Sequence, residues 1–169
     1  MFNKFAVAAT LAFACASSVA AEPASFYIGA DIGSTRFDPV SGNQIGAGGF
    51  VGYAFNSYVA LEANYRSLGQ YDGIYINGVK TDLSLNHAAV SVIGTLPLAG
   101  GFNVFGRYGR TKLESTVSAG NVKPYGSGNG AEFGVGVGYA FTPNVALRLE
   151  YLSPAKELRN ISAGVSYKF

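Results

Sequence analysis

The chain has no tryptophan, one cysteine, one histidine and one methionine among 169 residues, and only 13% of its residues are charged. One cysteine excludes an internal disulfide framework, and one histidine beside one thiol is poor material for a metal centre. A formal net charge of +2 supplies no basic surface for nucleic acid. No run past the N-terminal segment reaches the 18 or more apolar residues of a membrane helix. What the chain does have is glycine (23) and aromatic residues (12 Phe, 11 Tyr), with a positive mean hydropathy. So many aromatic and β-branched residues also argue against disorder.

The N-terminal segment reads as an address. Met1-Phe-Asn-Lys4 is a short basic lead, Phe5 to Ser17 is almost wholly apolar or small, and Ser18-Val19-Ala20-Ala21 offers a small-residue cleavage site. This pattern predicts a helical, cleavable signal peptide over residues 1–21, cut after Ala20 or Ala21, with one domain over 22–169. Cys15 sits inside the segment to be removed, as a bystander in an apolar run. A lipoprotein cysteine would follow a leucine and a small residue that Ala12-Phe13-Ala14 does not provide. An exported, apolar-rich chain without a membrane helix points to a β-barrel.

The C-terminal segment agrees. In Ile161-Ser-Ala-Gly-Val-Ser-Tyr-Lys-Phe169 the odd positions are all apolar or aromatic, and the even positions are small or charged. That period of two marks a strand with two unlike faces. As the edge of a soluble sheet such a strand would invite aggregation, whereas a closed barrel in lipid has no edge and turns its apolar face outward. A repeat strengthens the reading. Gly52-Tyr-Ala-Phe-Asn-Ser-Tyr-Val-Ala-Leu-Glu-Ala-Asn-Tyr65 aligns without a gap on Gly138-Tyr-Ala-Phe-Thr-Pro-Asn-Val-Ala-Leu-Arg-Leu-Glu-Tyr151, each a strand, tight turn and strand. Reading outward predicts an eight-stranded antiparallel up-and-down transmembrane barrel, all-β, with strands near 26–37, 43–55, 58–68, 82–97, 102–113, 130–141, 144–152 and 159–169. The short connections (Asn56-Ser57, Leu98 to Gly101, Thr142-Pro143) mark the periplasmic side and the longer polar ones the exterior.

Two longer connections carry further expectations. Asn77-Gly78 is a hairpin turn signal, and pairing Ile76 with Val79 would place Asn64 opposite Ser91 and Val59 opposite Leu96. Strands 3 and 4 would then continue past the membrane as a ribbon. Loop 3, Ser115 to Asn129, is Ser/Gly/Asn-rich around Lys123-Pro-Tyr125 and reads as a mobile connection.

Alternation also sorts the faces. Outward fall residues such as Phe26, Val51, Leu61, Val104, Val137 and Leu149, with Tyr53, Phe55, Phe102, Tyr139, Phe141, Tyr167 and Phe169 gathered as an aromatic girdle near the periplasmic turns. Inward fall glycines and the charges Asp31, Glu62, Arg66, Arg107, Glu132, Arg148, Glu150 and Lys168. Buried charges must be paired, so this set is expected to form an ion-pair plug inside the barrel. The competing reading is a polar path, with Gly29, Gly33, Gly46, Gly48, Gly134, Gly136 and Gly138 leaving lumen space for water. In strand 5, Arg107 and Arg110 cannot both face inward unless a bulge intervenes at Gly109.

His87 raises the question of catalysis. Ser91 shares its face, and Asp82 or Glu114 could approach from loops, but there is no nucleophile elbow and no second histidine. Asn86-His87 also reads simply as a bulge. No catalytic, cofactor or metal residues are assigned.

The closing segment 161–169 and Gly138-Tyr-Ala-Phe-Thr-Pro-Asn-Val145 resemble those of the small eight-stranded outer-membrane β-barrels of the opacity and surface-antigen type. These are related to the transmembrane domain of outer membrane protein A, and the chain is similar to neisserial surface protein A in length and in both motifs. The resemblance implies a Gram-negative outer-membrane location and surface exposure. It implies that Val165, Tyr167 and Phe169 are an assembly signal for the outer-membrane assembly machinery. It also departs from outer membrane protein A in showing no peptidoglycan-binding segment after the barrel. The expected role is a non-enzymatic scaffold in the outer-membrane bilayer that presents loops for envelope integrity or surface interaction. The candidate partner-binding loop is Tyr71, Tyr75, Asn77 and Gly78, for an extracellular or host protein, against the plainer reading of a solvated loop. The alternatives are a narrow porin-like channel and a lipid-modifying enzyme.

Overall fold

The computed structural model describes residues 24–37, 43–76, 79–118, 125–155 and 158–169; the predicted signal peptide lies outside them. Eight strands follow in chain order: β1 (Ser25–Phe37), β2 (Asn43–Ala54), β3 (Val59–Ile76), β4 (Val79–Pro97), β5 (Phe102–Ser118), β6 (Tyr125–Ala140), β7 (Val145–Ala155) and β8 (Leu158–Lys168). Each pairs antiparallel with its neighbours, and β8 closes on β1 from Tyr27↔Lys168 to Phe37↔Leu158. Closure leaves no edge within the barrel wall, which is what lets strands cross lipid.

The faces are inverted relative to a soluble barrel. Val137 is 49% exposed and Leu147 43%, while Glu62 and Arg107 are each 1% exposed. Aromatic side chains meet at the periplasmic level: Phe26 on Tyr53 (4.8 Å), Tyr53 on Phe55 (5.1 Å), Phe102 on Tyr139 (4.7 Å), Tyr139 on Phe141 (4.8 Å) and Tyr167 on Phe169 (5.3 Å). The two repeat turns use the same chemistry. Asn56 Oδ1 accepts from the amides of Tyr58 (2.8 Å) and Val59 (2.9 Å), and Thr142 Oγ1 accepts from those of Asn144 (3.3 Å) and Val145 (2.9 Å). A short polar side chain thus replaces turn hydrogen bonds at equivalent positions. The third short connection, Ala99–Gly101, turns on two glycines with φ of 73° and 83°, a region open to glycine.

Four expectations are resolved by the observed register. Ile76 does pair with Val79, but Asn64 lies opposite Ala89 and Val59 opposite Gly94. The register slips between Ser67 and Gly69 and again between Tyr71 and Ile74. Each slip adds one residue to β3, and two slips together restore the in-out parity. The first bulge therefore belongs to β3, where Leu68 turns fully inside, and not to Asn86-His87. Strand 5 has no bulge at Gly109: Arg107 faces in, Arg110 faces out, and Gly109 stays in register between Ser91 and Glu132. Much of loop 3 is strand, with Glu114↔Ser127 and Thr116↔Tyr125 paired. Serine and glycine there follow the cross-strand hydrogen bonding of their partners, which local propensity does not register.

The upper parts of β3 to β6 outrun their outer neighbours. β2–β3 pairing runs from Ala54↔Ala60 only to Gly48↔Arg66, and β6–β7 pairing stops at Phe133↔Ser153. Above those points β3, β4, β5 and β6 remain paired to one another as a sheet.

Candidate functional site

The inward residues form layers. Nearest the periplasm is a vestibule of about 330 Å³ whose lining includes Tyr27, Ala60, Ile93, Asn103, Phe105 and Lys168. Ala60, Ile93 and Phe105 pack together there. Above it lies a charged layer, and above that a group of buried residues at the extracellular end: Leu68, Leu152, Pro154 and Leu158, beside Thr35 and Asn160.

The charged layer has two centres. Arg66, on β3, donates from Nε and Nη2, both at 2.8 Å, to the two carboxylate oxygens of Asp31 on β1. Its Nη1 donates to Asn160 Oδ1 (3.0 Å), and Asn160 Nδ2 donates on to Thr35 Oγ1 (2.9 Å). Such a two-pronged pairing fixes orientation as well as charge. Arg107, on β5, stands among three carboxylates. Nε donates to Glu150 Oε1 (2.6 Å), Nη2 to Glu62 Oε1, and Nη1 reaches Glu132 Oε1 at 3.5 Å.

Glu62 ties the centres together. It accepts from Arg148 Nη1 (2.7 Å) and from the Tyr27 hydroxyl (3.0 Å), while Arg148 also lies 3.7 Å from Asp31 and Arg66 lies 3.8 Å from Glu150. The Arg148 guanidinium rests 3.4 Å above the Phe50 ring, a cation–π contact on its remaining face. Asp31, Glu62, Arg66, Arg107, Glu132, Arg148 and Glu150 thus form one connected network. Lys168 lines the periplasmic vestibule, as do Glu62 and Arg148 of the network.

Glycines make this filling possible by giving room to the side chains beside them. A side chain at Gly52 would run into Tyr27, at Gly29 into Phe50, at Gly136 into Phe105, and at Gly48 into Arg66. Each of these large side chains lies directly across from its glycine in register. The space a glycine vacates on one strand is occupied by its neighbour's side chain.

His87 belongs to the same layer. Its Nε2 lies 2.7 Å from Glu132 Oε2, and Ser91 donates to the other oxygen of that carboxylate. Among the described side chains the carboxylate partner is therefore Glu132, and not Glu114. Serine and histidine both point at the acid and not at each other. The histidine is not placed to take the serine proton, so the serine–histidine pairing of a nucleophilic relay is not formed. Inward parity of residues 87 and 91 on β4 was the signal that could have added them to the charged set. Tyr27 and Asn160 carried the same signal, since Tyr27 shares the inward parity of Asp31 on β1 and Asn160 that of Lys168 on β8.

The remaining predicted residues lie elsewhere. Val165, Tyr167 and Phe169 face outward, with the Phe169 amide donating to the Phe26 carbonyl (3.0 Å) as the wall closes. Tyr71 and Tyr75 lie on the extension of β3, and Asn77 and Gly78 lie outside the described residues.

A closed eight-stranded wall with an apolar exterior and a salt-filled interior decides the class. Residues 5–169 match the family model described as the outer membrane protein beta-barrel domain. The chain belongs to that family. This outer-membrane barrel is 33% identical to outer membrane protein A of Shigella flexneri over a 194-residue alignment that covers 97% of the chain and 54% of the relative. The chain spans about half the length of the curated relatives it matches. Among solved structures it is similar in fold to neisserial surface protein A (TM-score 0.65, 24% identity, covering 88% of this chain and 100% of that one). It is also similar in fold to Ail of Yersinia pestis, solved with the heparin analogue sucrose octasulfate (TM-score 0.59, 16% identity, 86% and 97%). The barrel is a protein of the Gram-negative outer membrane.

Proposed function

We propose that this barrel is a non-enzymatic, non-conducting scaffold of the outer membrane that holds a projecting sheet at the cell surface. The observation that carries the reading is the continuous network around Arg66, Arg107 and Glu62, which crosses the lumen between the vestibule and the buried extracellular end. Ions paired this closely are costly to separate in a low-dielectric interior, so the network serves as a plug and as a lock on strand register. Reconstitution in a planar bilayer tests this. The wild-type barrel should show no stable unitary conductance; steady conductance that changes in Arg148→Ala or Glu62→Ala would favour the narrow channel and overturn the plug.

The upper edge of β3, beyond Arg66, pairs only with β4 among the described residues. It offers backbone hydrogen-bonding groups to an added strand, so this ribbon, whose sequence includes Tyr71 and Tyr75, is our candidate surface for an extracellular or host protein. In the same reading, residues 1–21 are the export signal, removed after Ala20 or Ala21, which the mass of the membrane-purified protein tests. Val165, Tyr167 and Phe169 serve as the assembly signal.

A further inference from the structure

The periplasmic vestibule has two unlike halves. On the side of β3 to β5 its lining includes Ala60, Ile93 and Phe105, which pack together. On the side of β7 and β8 it includes Ala146, Arg148, Ser166 and Lys168. Arg148 and Lys168 share the inward parity of Glu150 and Ser162, which are 2% and 4% exposed. In a closed wall whose strands follow one another in chain order, β4 and β8 stand across the lumen from each other. An apolar half therefore faces a cationic half.

The charges of the lining do not cancel. Two cationic side chains, Arg148 and Lys168, line the chamber with one carboxylate, Glu62. That carboxylate is already shared, accepting from Arg148 and the Tyr27 hydroxyl and, within the charged layer, from Arg107. The lining side chains thus carry one net positive charge beside apolar surface, where a charge is felt more strongly than in water. A volume of about 330 Å³ lies at the small end of ligand pockets. The turn residues Asn56, Ser57, Thr142 and Asn144 form the periplasmic rim. A short apolar body suits Ile93 and Phe105, and a single anionic group suits Arg148 and Lys168, since charge-assisted hydrogen bonds from such cations to a carboxylate are strong. An ion without an apolar body leaves the first half unused, and a neutral or cationic amphiphile leaves the second unmatched.

We propose that the vestibule is a periplasm-facing binding site for a small amphipathic monoanion, a short apolar chain bearing one carboxylate. The carboxylate meets Lys168 and the Arg148 guanidinium, and the chain lies against Ile93 and Phe105. The site lies below the charged layer and stands whether or not the lumen conducts.

The test is methyl NMR of the folded barrel in nanodiscs of deuterated lipid, with isotope-labelled isoleucine methyl groups, titrated with octanoate, octanol and octylammonium. Ile93 lines the vestibule, whereas Ile28 and Ile161 are exposed on the outer wall. Binding in the site moves Ile93 alone, and partition into the bilayer moves the other two. Octanoate should give a saturable Ile93 shift, and octanol and octylammonium should need about tenfold higher concentrations, from the loss of a charge-assisted hydrogen bond. Lys168→Gln should weaken octanoate by about the same factor and leave octanol unchanged, a split that a merely structural effect does not produce. Ala146→Phe, which fills the chamber from β7, should abolish the shift. Heat-dependent gel mobility establishes that each variant is folded. An Ile93 shift that is absent or no more selective than those of Ile28 and Ile161, equal affinity for octanol or octylammonium, or octanoate binding unchanged in either variant would overturn the proposal.

Discussion

Arg107→Ala should be among the most damaging single substitutions in the lumen. The wild-type guanidinium contacts three carboxylates, each at most 2% exposed. Their losses are unequal. Glu62 keeps Arg148 and the Tyr27 hydroxyl, and Glu132 keeps His87 and Ser91. Glu150 loses its 2.6 Å partner and, among the described residues, retains only Arg66 at 3.8 Å. Removing one partner of a buried pair typically costs about 3–5 kcal/mol, most of it from the charge left behind. The exposed Lys112–Glu114 pair should be worth about 0.2–1 kcal/mol. We therefore expect Arg107→Ala to lose about 3–5 kcal/mol, with Glu150→Gln in the same chain restoring a large part, since it removes the worst orphan. Urea unfolding in lipid vesicles, followed by tyrosine fluorescence and by gel mobility, measures both. A loss under about 1 kcal/mol, or no rescue by Glu150→Gln, would refute the view that the interior charges are tightly coupled.

Three further outcomes are expected. Gly52→Val should cost about 1–3 kcal/mol or block folding, because its side chain would collide with Tyr27; the same unfolding assay reads it, and wild-type stability would contradict the glycine-pocket account. Cysteines at Ile74 and Thr81, partners in register, should form a disulfide on mild oxidation of intact cells, while failure to cross-link would argue against the paired ribbon. Phe169→Ala should lower the fraction of chain that reaches the heat-modifiable, membrane-embedded form, and an unchanged yield would remove Phe169 from the assembly signal.

Lumen and wall differ in how their residues are read. The inward charges share one parity with the glycines, but their partners come from strands far apart in sequence. Arg107 meets Glu62 from β3, Glu132 from β6 and Glu150 from β7, and no spacing along the chain encodes those meetings. Ion pairing could be expected as a class because buried charge is costly, while the identity of each pair depended on how far each strand slides past the next.

What the sequence by itself determined is the inversion. Period-two alternation over 161–169 and the repeat at 52–65 and 138–151 specify strands with one apolar face. Together with the apolar richness of the chain, that pattern points to a closed barrel in lipid. What only the tertiary structure decided is register: the two extra residues in β3, the outward turn of Arg110, and the assignment of His87 to Glu132. Alternation is a local property of one strand. Register is set jointly by neighbouring strands, and a single bulge moves every residue beyond it by one place.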